Sequence, residues 1–277
     1  MNALLEKLEK RHLIVGVIGL SVLLLVLLFA AASAGREAPA ETTAPTDPPE
    51  PTLAANPYGP NDFQFDGDYL TCTAGESLLG IDVSEYQRDI DWYAVREAGI
   101  AFAFIRLGYR GNLEGNLYED AMFRHNLQMA KDAGLKVGAY FFSQAITVEE
   151  AIEEAQFAVQ LLGGVTLDLP MVYDWEFMYV ESRTDDMDGP TMTACTKAFC
   201  QTVEKAGYDA MVYFNLNQAN HYLDLIALSE YPFWLAMYAD RMTYPYKVDF
   251  WQYSYTGRVP GIETDVDLNL WFRYDEE

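Results

Sequence analysis

Residues 130–142 read AKDAGLKVGAYFF, and this stretch decides the fold. A helical pattern ends at Ala133-Gly134, and a run rich in β-branched and aromatic residues follows immediately. Glycine suits the left-handed backbone that commonly ends a helix. The same arrangement recurs at Ala98-Gly99-Ile100 and Ala206-Gly207-Tyr208, so the three glycines are 35 (134 − 99) and 73 (207 − 134) residues apart. These intervals are close to one and two βα units, so the sequence predicts a repeated βα fold.

Eight apolar runs are predicted to be strands. They are Leu79 to Val83, Ala101 to Leu107, Lys136 to Phe142, Pro170 to Trp175, Ala210 to Asn215, Phe233 to Tyr238, Val248 to Tyr253 and Asp265 to Leu270. Continuous apolar runs are typical of strands buried on both faces, and one intervening helix opens with a Thr147-x-x-Glu150 capping box. We therefore predict an α/β fold, an irregular β/α barrel of the TIM type, whose last three strands are too close for full helices between all of them. A doubly wound open sheet is the alternative, although its glycine-rich nucleotide fingerprint is missing.

The N-terminal region contains one long apolar segment. Residues 13–35, LIVGVIGLSVLLLVLLFAAASAG, carry no charge and at about 1.5 Å per residue cover a hydrocarbon core of roughly 30 Å. Three basic residues precede the segment, so the positive-inside rule predicts that residues 1–12 are cytoplasmic and that the chain after this anchor is extracellular. The alternative is a cleaved signal peptide, because Ala32-Ser33-Ala34 fits the cleavage pattern, and the protein would then be secreted.

A proline-rich linker follows the apolar segment. Residues 36–60 hold seven of the chain's 12 prolines and few large apolar side chains, a composition that favours an extended spacer. Residues 61–75 show no clear pattern, so we extend the predicted linker over residues 36–75. The catalytic barrel is then predicted to span residues 76–277.

Composition narrows the choice of partners. The chain has 42 acidic and 18 basic residues and a net charge of -24, so it would repel phosphate backbones and we expect no nucleic-acid partner. The three histidines lack metal-ligand spacing, and we expect neither a metal nor another cofactor. Cys195 and Cys200 fall on different faces of a predicted helix. Two hypotheses therefore remain for the cysteines: Cys72 forms a disulfide with one of these two, or the thiols are free and buried.

Carboxylates interrupt the apolar runs at strand ends, which is where barrel enzymes have their catalytic residues. Asp174 and Glu176 are two residues apart and so point to the same side of one strand. Closing the barrel would bring Asp267, on the last strand, near Asp82 on the first. Crowded carboxyl groups cannot all ionise, so one should keep its proton and serve as the general acid that glycoside cleavage requires. The alternative is that these groups cap loops or pair with arginines such as Arg106 and Arg110.

Aromatic residues occur at or near the same strand ends. Aromatic faces stack on sugar rings, so we regard several of them as candidate substrate contacts, together with Arg106. The alternative is that they are ordinary core residues with a polar tip. The candidate aromatic contacts are Tyr140, Tyr213, Trp234, Tyr238 and Trp251.

A group of motifs resembles the glycoside hydrolase family 25 muramidases, the lysozymes of the Chalaropsis type. The motifs are Gly80-Ile81-Asp82-Val83-Ser84 with Gln87, Ala103-Phe104-Ile105-Arg106, Gly138-Ala139-Tyr140-Phe141-Phe142, Asp174-Trp175-Glu176, Trp234-Leu235-Ala236, Trp251-Gln252-Tyr253 and Val266-Asp267-Leu268-Asn269. The resemblance covers residues 79–272 in order. It implies a flattened, irregular β/α barrel that cleaves the β-1,4 bond from N-acetylmuramic acid to N-acetylglucosamine in peptidoglycan.

The resemblance also assigns roles. It implies that Glu176 is the general acid, that Asp174 steers or stabilises the substrate's acetamido group, and that Asp82 and Asp267 complete the acidic groove. The expected partner is the peptidoglycan glycan strand, cleaved by a monomer in cell-wall remodelling or lysis. One alternative is a catalytically silent peptidoglycan-binding module that positions a wall or membrane complex. Another is a glycosidase for a polymer such as chitin, whose D-x-x-D-x-D-x-E motif is absent.

Overall fold

A computed structural model describes residues 52–274 of the chain. A hairpin of β1 (Phe63–Asp66) and β2 (Tyr69–Cys72) comes first. Eight strands then form one closed sheet, in which the first strand pairs with both the second and the last. These strands are β3 (Glu76–Val83), β4 (Phe102–Arg110), β6 (Lys136–Ser143), β7 (Met171–Trp175), β8 (Ala210–Asn215), β9 (Phe233–Ala236), β10 (Phe250–Gly257) and β11 (Val266–Arg273), with β5 (Leu117–Glu119) added beside the end of β4. The predicted α/β barrel is confirmed.

The last strand reverses direction. Neighbouring barrel strands from β3 to β10 run parallel, whereas β11 runs antiparallel to both β10 and β3. Residues 258–265 between β10 and β11 are too few for the helical crossover that parallel pairing requires. The reversal places the beginning of β11 at the barrel end where the parallel strands finish. We call this end the mouth.

Helices cover the outside of the barrel. They are α1 (Trp92–Glu97), α2 (Phe123–Asp132), α3 (Val148–Leu162), α4 (Gly189–Lys205) and α5 (Leu216–His221). Within residues 52–274, no helix separates β9 from β10 or β10 from β11, as predicted from the strand spacing.

Local signals in the sequence set the helix ends. The three glycines that follow α1, α2 and α4 have positive φ angles of 94° (Gly99), 82° (Gly134) and 88° (Gly207), which confirms the predicted left-handed ends. At the start of α3 the Thr147 side chain accepts from the Glu150 N–H, as predicted. The Glu150 carboxylate accepts from the N–H of Ile146 rather than from that of Thr147, so only one of the two hydrogen bonds of the predicted capping box forms.

Aromatic rings fill the barrel interior. Phe104 stacks on Trp234 with ring centroids 4.6 Å apart, and Phe102 meets Phe250 edge to face at 5.4 Å. Glycines on neighbouring strands make room for these rings, because a Cβ at Gly80 would lie 2.3 Å from Phe102. Below the mouth the barrel is therefore packed with side chains, and any cavity must lie at the mouth.

The structure corrects the predicted linker. Residues 63–72 form the β1–β2 hairpin, and Phe63 and Leu70 are buried in the core. Residues 61–75 are therefore part of the folded unit. The predicted apolar segment 13–35 lies outside the described residues. Among residues 52–274, no helix has the length and hydropathy needed to cross a membrane.

Candidate active site

The four predicted carboxylates meet at the barrel mouth. Asp82 lies near the end of β3, Asp174 lies near the end of β7, and Glu176 follows that strand. Asp267 is the second residue of β11 and lies directly opposite Asp82 in the antiparallel register. All four line one cavity of about 230 Å³. Asp267 reaches this cavity because β11 is reversed.

Asp82 is held by two amide donors. Gln252 Nε2 and Asn269 Nδ2 donate to Asp82 Oδ2 at 2.9 Å and 2.8 Å. Trp234 Nε1 in turn donates to Asn269 Oδ1 at 2.8 Å, which fixes the orientation of that amide. Two donors on one carboxylate oxygen favour its charged form. They oppose the burial that raises the pKa of Asp82 to about 6.

Two tyrosines orient the other amide. The hydroxyl groups of Tyr213 and Tyr238 donate to Gln252 Oε1 at 3.0 Å and 3.1 Å. With its oxygen occupied in this way, the amide of Gln252 turns its NH₂ group toward Asp82. The side chain of Gln252 is therefore a positioning element between the aromatic wall and the acidic group.

Glu176 is the carboxyl group best placed to act as an acid. Burial raises its pKa to about 7, the negative charge of Asp82 adds to the shift, and a hydrogen bond with Asn215 opposes it. Glu176 therefore holds its proton more tightly than Asp82 does, which leaves Glu176 as the acid and Asp82 as the anion. This division of protons suits a site that needs one acid and one anion.

The other two carboxyl groups also hold their protons more tightly than usual. Burial raises the pKa of Asp174 well above its ordinary value, and the charges of Glu176 and Asp82 raise it further. Asp174 Oδ1 is buried without a hydrogen-bond partner among the described residues. Burial, followed by the charges of Asp82 and Glu176, likewise raises the pKa of Asp267. The cavity therefore carries fewer negative charges than carboxyl groups.

Arginine pairing does not account for this cluster. Arg106 lines the cavity, but its guanidinium binds Asp120 at 2.8 Å and Glu85 at 3.2 Å. Arg110 pairs with Glu153 and Glu154 on α3, at 2.8 Å and 2.7 Å. Neither arginine forms an ion pair with the four carboxylates at the mouth, so the predicted alternative of structural pairing is not what the structure shows.

Most of the predicted aromatic contacts line the cavity. Tyr140, Tyr213, Trp234 and Tyr238 do so, and Trp251 does not. Side chains alternate along β10, and Phe250 and Gln252 point into the barrel, so Trp251 points outward. Its Nε1 donates to the carbonyl oxygen of Met237 at 2.7 Å, and its ring is fully buried. The prediction of Trp251 as a substrate contact is therefore corrected.

Sequence reasoning left out several residues of the cavity wall. The short helical turn Glu85–Gln87 begins two residues after Val83, the last residue of β3, so its position just after the strand that carries Asp82 was an available signal. Gln252 gave a second signal, because it is a lone amide inside an apolar run. The cavity-lining residues not among the predicted candidates are Ser84, Tyr86, Gln87, Phe142 and Gln252.

Several known proteins are similar to this chain, among them the following three. YegX, an uncharacterized protein of Escherichia coli O157:H7, is 31% identical over 222 residues, which cover 74% of this chain and 73% of YegX. Lysozyme M1 of Streptomyces globisporus is 31% identical over 204 residues, 69% of this chain and 67% of the lysozyme. The modular autolysin LytC of Streptococcus pneumoniae, solved with a synthetic peptidoglycan ligand, has the same fold with a TM-score of 0.62 at 24% identity. That match covers 71% of this chain and 47% of LytC, so the chain spans about half the length of the autolysin.

A closed β/α barrel with an acid and an anion at its mouth is the arrangement of a glycoside hydrolase. Residues 81–262 match the family described as Glycosyl hydrolases family 25. The chain belongs to this family and is a glycoside hydrolase of the muramidase type, which confirms the resemblance drawn from the sequence motifs.

Proposed function

We propose that this enzyme hydrolyses the β-1,4 bond between N-acetylmuramic acid and N-acetylglucosamine in peptidoglycan. The observation that carries the proposal is the mouth cluster, in which a carboxyl group with a pKa of about 7 lies beside an amide-bound Asp82. Lysozyme M1 and the autolysin LytC, solved with a peptidoglycan ligand, support the choice of polymer.

The positions of the four carboxyl groups support the following catalytic roles. Protonated Glu176 gives its proton to the glycosidic oxygen as the bond to the anomeric carbon breaks. Ionised Asp82 stabilises the positive charge that develops on the sugar ring. Asp174 orients the 2-acetamido group, and Asp267 is the fourth carboxyl group of the groove. Water then adds to the anomeric carbon, and its proton returns to Glu176.

The test is to incubate the purified full chain with purified peptidoglycan and to identify new reducing ends by mass spectrometry. New ends at N-acetylmuramic acid, absent with Glu176→Gln, are the expected result. New ends at N-acetylglucosamine would contradict the proposed bond. Pelleting with the wall without any product would favour the alternative, a silent binding module that positions a wall or membrane complex.

We also propose that residues 13–35 anchor the enzyme in the cell membrane with its barrel outside, where it remodels or lyses the wall. The support is the uncharged 23-residue segment preceded by Lys7, Lys10 and Arg11. Without protease, the protein should be found in the membrane fraction. Protease added outside intact protoplasts should digest the barrel. Release into the medium of a chain that begins after Ala34 would favour the secreted alternative.

The enzyme is further proposed to act as a monomer. The four carboxyl groups predicted for catalysis all line one cavity within a single barrel, which supports the proposal. Light scattering of the active protein in detergent would measure the mass of the protein component, and an obligate dimer would contradict this.

A further inference from the structure

A second groove lies beside the catalytic cavity and shares a wall with it. Its volume is about 630 Å³, and Tyr238 lines both spaces. The remaining walls come from β10 and the segment after it, the segment after β9, the β1–β2 hairpin and β11. We call it the hairpin groove, and the lining residues used in the argument are Phe65, Asp68, Tyr238, Asp240, Tyr255 and Arg258.

Three large aromatic side chains stand exposed in the hairpin groove. The exposed fractions are 55% for Phe65, 52% for Tyr238 and 58% for Tyr255. The rings of Tyr238 and Tyr255 meet edge to face with centroids 4.7 Å apart. Core packing does not account for three exposed rings gathered in one groove, and exposed clusters of this kind mark binding surfaces.

The hairpin is fastened to the barrel, so Phe65 has a defined place in the groove. The buried ring of Phe63 meets Trp251 edge to face at 5.1 Å. The Leu70 N–H donates to the Tyr253 hydroxyl at 3.3 Å. Phe65 and Asp68 lie before residue 81, where the match to the family begins, so this wall comes from outside the matched region.

Charge on the groove disfavours an anionic ligand. Asp68 and Asp240 are both exposed on it. Arg258 is the one cation among the lining residues, all of which the structure describes, and it binds Asp265 at 2.8 Å. The ring of N-acetylglucosamine is neutral and has flat faces, so it fits exposed aromatic walls without opposing these carboxylates, whereas they would repel the lactyl carboxylate of N-acetylmuramic acid in a peptide-free strand.

We infer that the hairpin groove binds N-acetylglucosamine rings of the glycan strand beyond the sugars held in the catalytic cavity. Because Tyr238 lines both spaces, one β-1,4-linked strand can reach from the cavity into the groove, where an N-acetylglucosamine ring stacks on Tyr255 and Phe65. This inference rests on the proposed function, because it takes the same glycan as substrate. It makes the enzyme favour long strands over short fragments.

The test compares two substrates of different length. The purified full chain, Tyr255→Ala, Phe65→Ala and the double variant are assayed on peptide-free glycan strands and on the shortest oligosaccharide that is cleaved. Each single substitution should lower the ratio of kcat/KM for long over short substrate about five-fold, and the double variant by more. Tyr93→Ala is the matched control, because Tyr93 is 56% exposed and lies on α1, outside both spaces. Its ratio should equal that of the parent.

The outcomes distinguish a failure of the groove inference from a failure of the proposed function. A ratio unchanged in the double variant overturns the inference, whereas cleavage at the expected bond by the parent still supports the function. If the parent cleaves neither substrate, the function fails, and equilibrium binding of peptide-free strands tests the groove by itself. Weaker binding by Tyr255→Ala then supports it, and equal binding overturns it. Tyr255-dependent binding of free stem peptides, without any effect on glycan, would also overturn the assignment to sugar.

Discussion

Two of the places where the described residues bury carboxylates differ in the partners that they provide. Glu154 on α3 is fully buried, but its two oxygens accept from Arg110 Nε at 2.7 Å and Ser143 Oγ at 2.6 Å. At the mouth, Glu176 and Asp174 have no arginine bound to them, and Asp174 Oδ1 has no hydrogen-bond partner among the described residues.

The contrast separates a structural use of buried charge from a functional one. Burial raises the pKa of Glu154 to about 7, as it does for Glu176, but at Glu154 the hydrogen bonds from Ser143 and Arg110 and the charge of Arg110 oppose the shift, and these bonds hold two strands to α3. At Glu176 no cation opposes the shift and the charge of Asp82 adds to it, which lowers stability at neutral pH but provides an acid. The following substitutions test whether the Glu154 cluster mainly affects stability and the mouth cluster mainly affects activity.

The largest expected effect is on catalysis at the mouth. Glu176→Gln should lower kcat by about 10³-fold or more, because a positioned general acid contributes about 10²- to 10⁴-fold. Reducing-end release from peptidoglycan at pH 6.5 measures this loss, and folding is checked by near-UV circular dichroism. Glu149→Gln changes an exposed carboxylate on α3 and serves as the control. A folded Glu176→Gln protein with at least a tenth of parental activity would remove Glu176 from the acid role.

Breaking the ion pair should affect stability instead. Glu154→Leu leaves the buried Arg110 with Glu153 as its remaining carboxylate partner and should lower the free energy of unfolding by about 3 kcal/mol. Urea titration measures the change, and kcat at a temperature where the variant is folded should stay within about three-fold of the parent. The double variant Arg110→Met/Glu154→Leu should recover at least half of the lost stability. No recovery would contradict an uncompensated charge as the cause.

A smaller effect is expected where Gln252 orients Asp82. Cleavage requires ionised Asp82 and protonated Glu176, so the parental pH profile should have an acidic limb near 6 and an alkaline limb near 7. Gln252→Leu removes one donor to Asp82 and so raises the pKa of that group. The acidic limb should move to higher pH, and kcat/KM at pH 6 should fall about three- to ten-fold. An unmoved acidic limb would show that Gln252 serves packing alone.

The smallest expected effect is the decrease in the free energy of unfolding that the raised pKa of Glu176 causes. The pKa of Glu176 is raised to about 7 in the folded protein from an ordinary 4.5, so its contribution to stability is complete below 4.5 and is lost as pH rises toward 7. Glu176 keeps part of its surface in solvent, which reduces the expected cost to about 1 kcal/mol, so Glu176→Gln should melt at about the parental temperature at pH 4 and about 3 °C above it at pH 8. Scanning calorimetry measures the difference. An equal difference at both pH values would contradict a raised pKa.

The cavity wall shows where sequence reasoning was limited. The run Val248 to Tyr253 was predicted as a strand, and its alternating faces were not assigned, because a strand packed on both sides carries apolar residues in every position. Trp251 and Gln252 are adjacent but lie on opposite faces of β10, so Trp251 points outward and Gln252 points to Asp82. The hairpin was missed for another reason, because its four-residue strands give too short a pattern to distinguish from a linker.

The sequence alone determined the eight strands, their order and the carboxylates at their ends, because apolar runs, capping glycines and spacing are local properties of the chain. The tertiary structure decided the direction of β11, the inward face of each strand and the protonation of the acids. These depend on residues far apart in the chain. Asp82 is bound by Asn269, 187 positions away, and burial by all the surrounding elements sets the pKa of Glu176.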